Sequence, residues 1–469
     1  MESWECCGYW WRPDNVDEVF LGNLKYVPGE GAILTLSDFS DRVDIFKSVF
    51  DTSTYYDIIL GVLSDGKKVT VYQNYVVHST GHHSWAGRDN VYLLSLKSRY
   101  VFVGHHFEER DKIQFKLVSV QYSFLDEWVN KPVRLGPDKD VFDKPEPIPL
   151  TIKGNFKIYV DFEKVSPFFS FREFTIKQTA YIMIESLKSG NSWAEYEETI
   201  NFLKNFFTLA IMDSSYSLKI EGKIKKDKVR KKRILGRIVD EPVRYADIGI
   251  YITGTKFPEL SESLSAEDML FSYPQIKSNV NSLLRNWLVN SSLFKIIYNT
   301  YFGTIFKGDE MFIENQFLNV ITTLEAYHRS ITSNIEINEY LHKKRVDTII
   351  DGAPEDYKTW ISHKLTHSNE PNLRTRLYEI MLPYTEIFKD KRRIDSFIYK
   401  ILNNRNSLVH PEKDRDIDYK QLFNILVILK IVFELYLLEH MGFETEMVKE
   451  LINKKKEKKI TAFKYMKMV

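Results

Sequence analysis

The pattern of apolar and polar positions divides the chain into a β-rich part and a helical part. Up to about residue 130, short apolar or alternating runs at 19–22, 33–36, 56–60, 68–72, 100–103 and 114–118 follow one another, separated by turns such as Ser64-Asp65-Gly66. A period of two is typical of β-strands, and closely spaced strands without a helical period predict a sandwich or a barrel.

A change of composition near residues 130–150 separates this region from a second β-rich one. The prolines at 132, 137, 145 and 147, with their charged neighbours, mark a linker or a domain edge there. Further strands are predicted at 156–160, 180–184 and 248–252, a helix near 193–211, and a long hairpin around a basic tip at 218–235.

From about residue 265 onward, apolar residues recur at spacings of three and four. The runs at 271–288, 293–306, 310–330, 373–386, 393–408 and 419–440 are predicted helices. The fold class predicted is therefore α+β multidomain: a β-rich, sandwich-like or barrel-like domain over 1–140, a second β-rich region with one helix and a basic hairpin over 141–262, and an all-α helical bundle over 263–469.

Composition and charge favour a soluble cytoplasmic protein. The 65 basic and 64 acidic side chains give a net charge of about +1, so nucleic-acid affinity would need local clusters. The two cysteines, Cys6 and Cys7, are adjacent and form no disulfide framework, which suits a reducing compartment. No signal peptide is evident, and the apolar run at 422–438 contains Lys430 and Glu434, which favours a buried helix over a membrane span.

One short motif near the end of the chain combines residue types that are suited to catalysis. The segment Asn404-Arg405-Asn406-Ser407-Leu408-Val409-His410 follows an amphipathic helical run and precedes a proline and a second apolar helix. An arginine followed by a histidine five positions later is common by chance. The hypothesis of an active site therefore depends on the helices and the proline around the motif. A similar pairing, Arg99 with His105, lies on a predicted strand and was discounted for that reason.

The arrangement of helix, R-N-x-x-x-H, break and helix resembles that of HEPN domains. The upstream helix containing Leu324-Glu325 and Arg329 is similar to the first core helix of HEPN domains in ApeA-type antiphage proteins. The β-rich part also resembles the ApeA N-terminal region, at 8–11, 20–26, 58–61, 67–71, 103–107 and 125–128. This resemblance covers most of the chain. It assigns no role to the Cys6-Cys7 pair.

The resemblance implies an abortive-infection endoribonuclease that cleaves RNA without a metal. His410 would act as acid or base near neutral pH, Arg405 would bind two phosphate oxygens, and Asn406 would orient the phosphate or the histidine. RNA supplies its own nucleophile, the 2′-hydroxyl. The resemblance also implies a homodimer, or a higher symmetric oligomer, whose two arginines and histidines line one cleft, with RNA (tRNA among the candidates) as substrate and a phage protein as trigger of the N-terminal region.

Less specific interpretations of the same residues stay open. Arg405 and His410 could be a basic capped helix end, which is favourable at a helix C-terminus. Glu325 and Arg329 are candidate accessory active-site residues, but a solvent-facing ion pair four positions apart is the simpler interpretation.

A basic run around residues 223–233 is a candidate RNA-binding segment. A solvated hairpin tip is the usual explanation of such a run, and contact with RNA phosphates is the alternative. The residues concerned are Lys225, Lys226, Lys228, Arg230, Lys231, Lys232 and Arg233.

No metal site and no cofactor are predicted. The histidine pairs at 82–83 and 105–106 cannot chelate alone, because adjacent residues on a strand face opposite sides. Two other functions are alternatives. One is a non-catalytic HEPN module that binds RNA or nucleotide, which has no need of an intact Arg405, Asn406 and His410. The other is an N-terminal enzyme carried on a helical dimerisation domain, for which the sequence offers no candidate nucleophile.

Overall fold

The computed structural model describes residues 2–39, 46, 49–50, 54–82, 91–132, 134–135, 142–163, 168–169, 174–175, 178–225, 231–234, 237–240, 244–254, 264–410 and 417–458. The chain divides into two compact units, Met1–Leu288 and Val289–Val469. The sequence instead predicted a boundary near 140 and a helical domain from 263.

The described strands all belong to the first unit. In chain order they are β1 (Trp4–Arg12), β2 (Asn15–Val27), β3 (Gly31–Phe39), β4 (Tyr55–Leu63), β5 (Lys68–His82), β6 (Val91–Val103), β7 (Gln114–Phe115), β8 (Leu117–Tyr122), β9 (Arg134–Leu135), β10 (Phe142–Asp143), β11 (Ile148–Lys153), β12 (Phe156–Phe162), β13 (Phe168–Phe169), β14 (Phe174–Thr175), β15 (Ala180–Ser186), β16 (Asn191–Ser192), β17 (Ser217–Lys225), β18 (Lys231–Ile234), β19 (Arg237–Asp240) and β20 (Tyr245–Ile252).

Six of these strands close a barrel, in the order β6-β3-β2-β1-β4-β5, because β5 also pairs with β6. This confirms the predicted β-rich, barrel-like region. Its core combines aromatic and aliphatic side chains, and Trp10 among them is fully buried. A Cβ atom at Gly61 would lie 2.3 Å from the Trp10 ring, so the close approach of β4 to β1 requires glycine there.

The far end of β6 continues the same sheet into an open second half. There β20 pairs with residues 100–103 of β6, and β17, β8, β15, β12 and β11 follow in that order. Strand β8 comes from the first predicted region and its neighbours from the second, so the sheet crosses the predicted boundary at 140. Every second residue of β15 is buried, and the short helix Leu125–Val129 contacts this strand.

The described helices are α1 (Leu125–Val129), α2 (Trp193–Ile211), α3 (Tyr273–Ile276), α4 (Val280–Leu293), α5 (Lys295–Phe306), α6 (Ile313–Ile331), α7 (Glu339–Asp351), α8 (Glu355–Leu365), α9 (Leu373–Met381), α10 (Thr385–Phe388), α11 (Lys391–Val409), α12 (Tyr419–Met441) and α13 (Thr445–Lys458). The bounds of α2 are those predicted from sequence. A capping box of Ser192 and Glu195 begins it, and Tyr122 of β8 donates a hydrogen bond to its Ile200 carbonyl at 2.8 Å.

Helix α12 is the core of the second unit. Most of its 23 residues are buried on all sides, against α6 among others, as expected for a helix without a polar face. Within its apolar run 422–438, the carboxylate of Glu434 accepts a hydrogen bond from the Tyr301 hydroxyl at 2.8 Å. By length and composition α12 could cross a membrane, but 72% of its most apolar window is buried inside the protein, as in the core helix of a soluble protein.

Candidate active site

Helix α11 positions the predicted motif at its C-terminal end. Asp390 begins the helix by accepting a hydrogen bond from the backbone N–H of Arg393, and Ile394, Ile398 and Ile401 form its buried stripe. The helix ends at Val409, and the backbone N–H of His410 donates to the carbonyl of Asn406 at 2.8 Å. The three predicted residues therefore lie within the last turn and a half of one helix.

Arg405 continues the buried stripe of α11. The positions 394, 398, 401 and 405 follow at spacings of four, three and four, which places them on one side of a helix. At Arg405 this side is only partly covered, and the side chain is half-buried. A cation at the end of an apolar stripe has poor hydration and is costly to bury without a partner.

The guanidinium of Arg405 is free to bind an anion. Its Nη1 donates to the Asn406 side-chain oxygen at a long 3.4 Å, and no carboxylate lies within ion-pair distance of it among the described residues. The segment 411–416, which includes the predicted break at Pro411, lies outside them. An unpaired arginine fork is suited to bidentate contact with phosphate oxygens.

Asn406 and His410 lie on the exposed side of the same turn. Both side chains are exposed, and the four-residue spacing places one above the other. The corner that follows is fixed by two contacts: Asn404 donates to the Gln421 side chain at 3.1 Å, and Asp418 caps α12 by accepting from the Gln421 backbone. The motif is thereby anchored to the core helix while its functional groups stay accessible.

Glu325 and Arg329 form an ion-pair cluster instead of joining this motif. Arg329 contacts Glu325 at 3.3 Å and Glu370 at 2.7 Å, and the fully buried Arg376 of α9 lies 3.5 Å from Glu370. The ion-pair interpretation of the two residues is therefore the one that the geometry favours.

This cluster lies at the other end of α11 from Arg405. Arg374, at the start of α9, binds Asp395, at the start of α11, with 3.2 Å between the charged atoms. Ten residues separate Asp395 from Arg405, which is about 15 Å of helix. One protomer does not bring the two sets of residues together.

A histidine that sequence analysis missed is buried in the same cluster. His328 is 1% exposed; its Nε2 is 2.6 Å from Glu379 and its Nδ1 is 3.2 Å from Arg376. The signal in the sequence was weak, because the partners come from α9, about fifty residues further on. With a carboxylate on one side and a guanidinium on the other, His328 connects α6 to α9.

Only part of the basic run is described. Lys225 is exposed at the end of β17, Lys226, Lys228 and Arg230 lie outside the described residues, and Lys231, Lys232 and Arg233 belong to β18, whose side chains are not described. Strand β17 pairs with β20 and β18 pairs with β19, so the strands that carry Lys225 and residues 231–233 have partner strands beyond residue 235. The predicted extent of the hairpin, 218–235, was wrong, because the partner of β17 is β20 at Tyr245–Ile252.

The first unit has a concave pocket that sequence analysis did not find. Its volume is about 560 Å³, within the range of small-molecule sites, and its lining includes Gln73, Arg99, Arg110 and Glu197. Arg99, the arginine of the discounted pairing, lies in β6 as predicted and binds Glu197 at 2.9 Å, where the Tyr100 hydroxyl also donates.

A strained residue forms one wall of this pocket. Gln73 has a φ of 56°, a left-handed conformation that costs a non-glycine residue about 1–3 kcal/mol. The buried Asn74 compensates: its amide donates to the carbonyls of Tyr56 and Val71 at 3.0 and 3.2 Å, and its oxygen accepts from Ser98 at 2.6 Å. The bend in β5 is thus specified by side-chain hydrogen bonds.

A β-rich unit with a closed barrel, followed by a helical unit with an exposed Arg-Asn…His motif, defines a two-part protein with a HEPN-type domain. Family models agree: "ApeA N-terminal domain 1" matches residues 5–287 and "Apea-like HEPN" matches residues 318–447. The chain belongs to the ApeA family, and at the level of that family it is an antiphage, abortive-infection effector with a HEPN domain. HEPN domains are in general ribonucleases. Comparison with curated proteins and with solved structures gave no match.

Proposed function

We propose that the helical unit is a metal-independent endoribonuclease with Arg405, Asn406 and His410 in its active site. The observation that supports this most is the state of Arg405: a half-buried guanidinium without a carboxylate partner among the described residues, beside an exposed asparagine and histidine. A structural arginine that is removed from water is usually paired, as the fully buried Arg376 is.

The residue types suit attack by the RNA's own 2′-hydroxyl. A base removes the 2′ proton, the 2′-oxygen bonds to phosphorus, the bond to the 5′-oxygen breaks, and an acid protonates the leaving oxygen. Arg405 stabilises the charge on the phosphate, Asn406 orients the phosphate or the imidazole, and His410 transfers a proton. The products are a 2′,3′-cyclic phosphate and a 5′-hydroxyl.

The reaction needs an acid and a base, but the motif has one titratable side chain. A symmetric homodimer or higher oligomer through the helical unit would supply a second His410. Apolar surface suited to such pairing is exposed at the corner between α11 and α12, at Val409, Tyr419 and Phe423.

We further propose that the first unit senses a phage component, a phage protein in the first instance, and that the enzyme acts in the cytoplasm. The pocket beside Gln73 supports a recognition role, because strained residues often occur at binding sites. The basic run from Lys225 to Arg233 would hold RNA phosphates, with tRNA among the substrates.

The test uses the purified full-length chain, single-stranded RNA and excess EDTA. We expect the wild type to leave 2′,3′-cyclic phosphate ends, and His410→Ala and Arg405→Ala to lose at least 100-fold in rate, the scale of general acid–base catalysis. His363→Ala and Arg392→Ala, which replace exposed residues of the same types outside the motif, are the controls. The same variants, expressed with and without phage infection, show through sequenced RNA ends whether cleavage needs the trigger.

Two outcomes would contradict the assignment. Ends that carry a 5′-phosphate, or activity that needs added magnesium, would indicate a metal-dependent nuclease. If the protein from phage-infected cells bound RNA but did not cleave it, the non-catalytic HEPN module would be favoured.

A further inference from the structure

The exposed face of α11 has an aromatic residue in line with the catalytic candidates. Tyr399, Asn403, Asn406 and His410 follow at spacings of four, three and four, and all four side chains are exposed. At 100° per residue they fall within about 60° of arc, so they form one stripe. We call this stripe the α11 face.

We propose that Tyr399 is a base-stacking residue, and that the α11 face is the path of a single RNA strand into the active site. This rests on the proposed ribonuclease function and adds the position at which the strand is held. The class of ligand is single-stranded or unpaired RNA, because a base inside a duplex is already stacked on its neighbours.

Tyr399 is not part of the packing of its own unit. Its neighbours Phe397 and Ile398 are fully buried on the opposite side of the helix, whereas Tyr399 is 59% exposed. Among the described residues it has no ring contact and no side-chain hydrogen bond. A large ring in this position offers a flat surface, and stacking on such a ring tolerates any base.

The charges along α11 suit a phosphate backbone. From Ser396 to His410 the helix has no acidic residue, and it carries Lys400 and Arg405. The acidic residue just before this segment, Asp395, is engaged by Arg374. A strand that follows the helix would therefore meet positive charge or none, which is the usual character of single-strand grooves.

The spacing gives the register of the strand. Seven residues separate Tyr399 from Asn406, which is about 10 Å of helix. At about 3.4 Å per stacked nucleotide, this corresponds to roughly three nucleotides between the stacked base and the cleaved bond. Tyr399 would thus select substrates with an unpaired base at a fixed distance from the cut.

The experiment measures binding of a fluorescent 12-nucleotide single-stranded RNA to full-length protein that carries His410→Ala, so that the RNA stays intact. Tyr399 is kept or replaced by Phe, Leu or Ala. We expect Phe to bind within about twofold of Tyr, and Leu and Ala to bind roughly 5- to 150-fold more weakly, the range measured for loss of one stacked base. Tyr340→Ala is the control, because this tyrosine of α7 is 73% exposed and lies off the α11 face.

A second set of RNAs places one abasic nucleotide at each position in turn. With Tyr399 present, one position should lose affinity more than the others; with Tyr399→Ala, the same abasic RNA should lose nothing further, because the stacking partner is already gone. Sedimentation of each variant is measured in parallel.

Three results would overturn the proposal: unchanged affinity of Tyr399→Ala, equal affinity of the Leu and Phe variants, or a changed oligomeric state, which would make the α11 face an interface between copies. If the wild type cleaves RNA in any of these cases, only the stacking role is lost. A wild type that neither binds nor cleaves RNA would instead refute the proposed function.

Discussion

At the scale of single residues, Asp126 shows how burial couples protonation to stability. Its Oδ1 accepts a hydrogen bond from the backbone N–H of Ala180 at 2.9 Å, which joins α1 to β15. Burial raises the pKa of this carboxyl from its ordinary 3.8 to about 6. The unfolded chain therefore ionises at a lower pH than the folded protein does.

The sign of the pH dependence follows directly. Between pH 4 and pH 6 the folded state holds a proton that the unfolded state has lost, so the free energy of unfolding falls as the pH rises through this window. The full stabilisation is present below about pH 4 and is lost above about pH 6. For a half-buried carboxyl we expect a loss of about 1–2 kcal/mol, after screening by solvent.

Asp126→Asn should remove this dependence, because the amide oxygen still accepts from Ala180 and does not ionise. Urea unfolding at pH 4.5 and pH 7.5 should show the variant gaining stability relative to the wild type at the higher pH only. Asp17→Asn, which replaces an exposed aspartate of β2, is the control. A wild type and Asp126→Asn variant with equal pH slopes would show that Asp126 does not contribute.

At the scale of elements, α9 is attached to α6 by a buried charge network. Arg376 is fully buried and contacts His328 at 3.2 Å, Glu370 at 3.5 Å and Glu325 at 4.0 Å. Two residues earlier, Arg374 forms an exposed ion pair with Asp395. One helix thus has a buried and an exposed arginine within a single turn.

The two arginines should differ strongly in their effect on stability. Arg376→Ala empties a fully buried site and leaves the buried His328 and the partly exposed Glu325 and Glu370 without this partner, so it should lower the free energy of unfolding by about 2–5 kcal/mol. Arg374→Ala should cost about 0–1 kcal/mol, because solvent screens its ion pair. Urea denaturation followed by circular dichroism measures both, and Arg376→Lys tests whether charge alone suffices. A cost for Arg376→Ala near that of Arg374→Ala would mean that the network is not holding α9.

The elements that could be predicted from the sequence are those whose apolar residues are buried in a hydrophobic core. Helix α2 and the core helix α12 were found within one residue at each end, because their periodic apolar faces are buried. Helices α7 and α8 were missed for the opposite reason: neither has a buried residue, so neither has an apolar stripe to detect. Strand β1 was missed as a strand because Cys6, Gly8 and Trp10 do not alternate with polar residues in an obvious way.

At the scale of the whole molecule, a short motif could be predicted but its surroundings could not. Arg405, Asn406 and His410 were predicted from the local sequence and the resemblance, and the structure places them within the last turn and a half of α11. The cluster around Arg376 and the pocket beside Gln73 join residues from distant parts of the chain, which a single sequence does not reveal. The sheet that joins the two predicted β-rich regions was also not predicted, because the pattern of apolar residues within a strand does not show which strands pair with one another.

The last prediction concerns the symmetric dimer. Each protomer brings one His410, whereas the reaction uses an acid and a base, so a site built from two protomers requires both histidines. We mix wild type with His410→Ala in equal amounts, under conditions in which labelled subunits are shown to exchange. Random pairing leaves about one quarter of the dimers with two intact copies, since closed two-fold pairs form independently of the substitution. Activity should therefore fall to about a quarter of that of undiluted wild type. Mixing with His363→Ala, which replaces an exposed histidine of α8, should leave activity unchanged. A fall to one half, in proportion to the wild-type fraction, would mean that each protomer works alone, and so would a fully active species that sediments as a monomer.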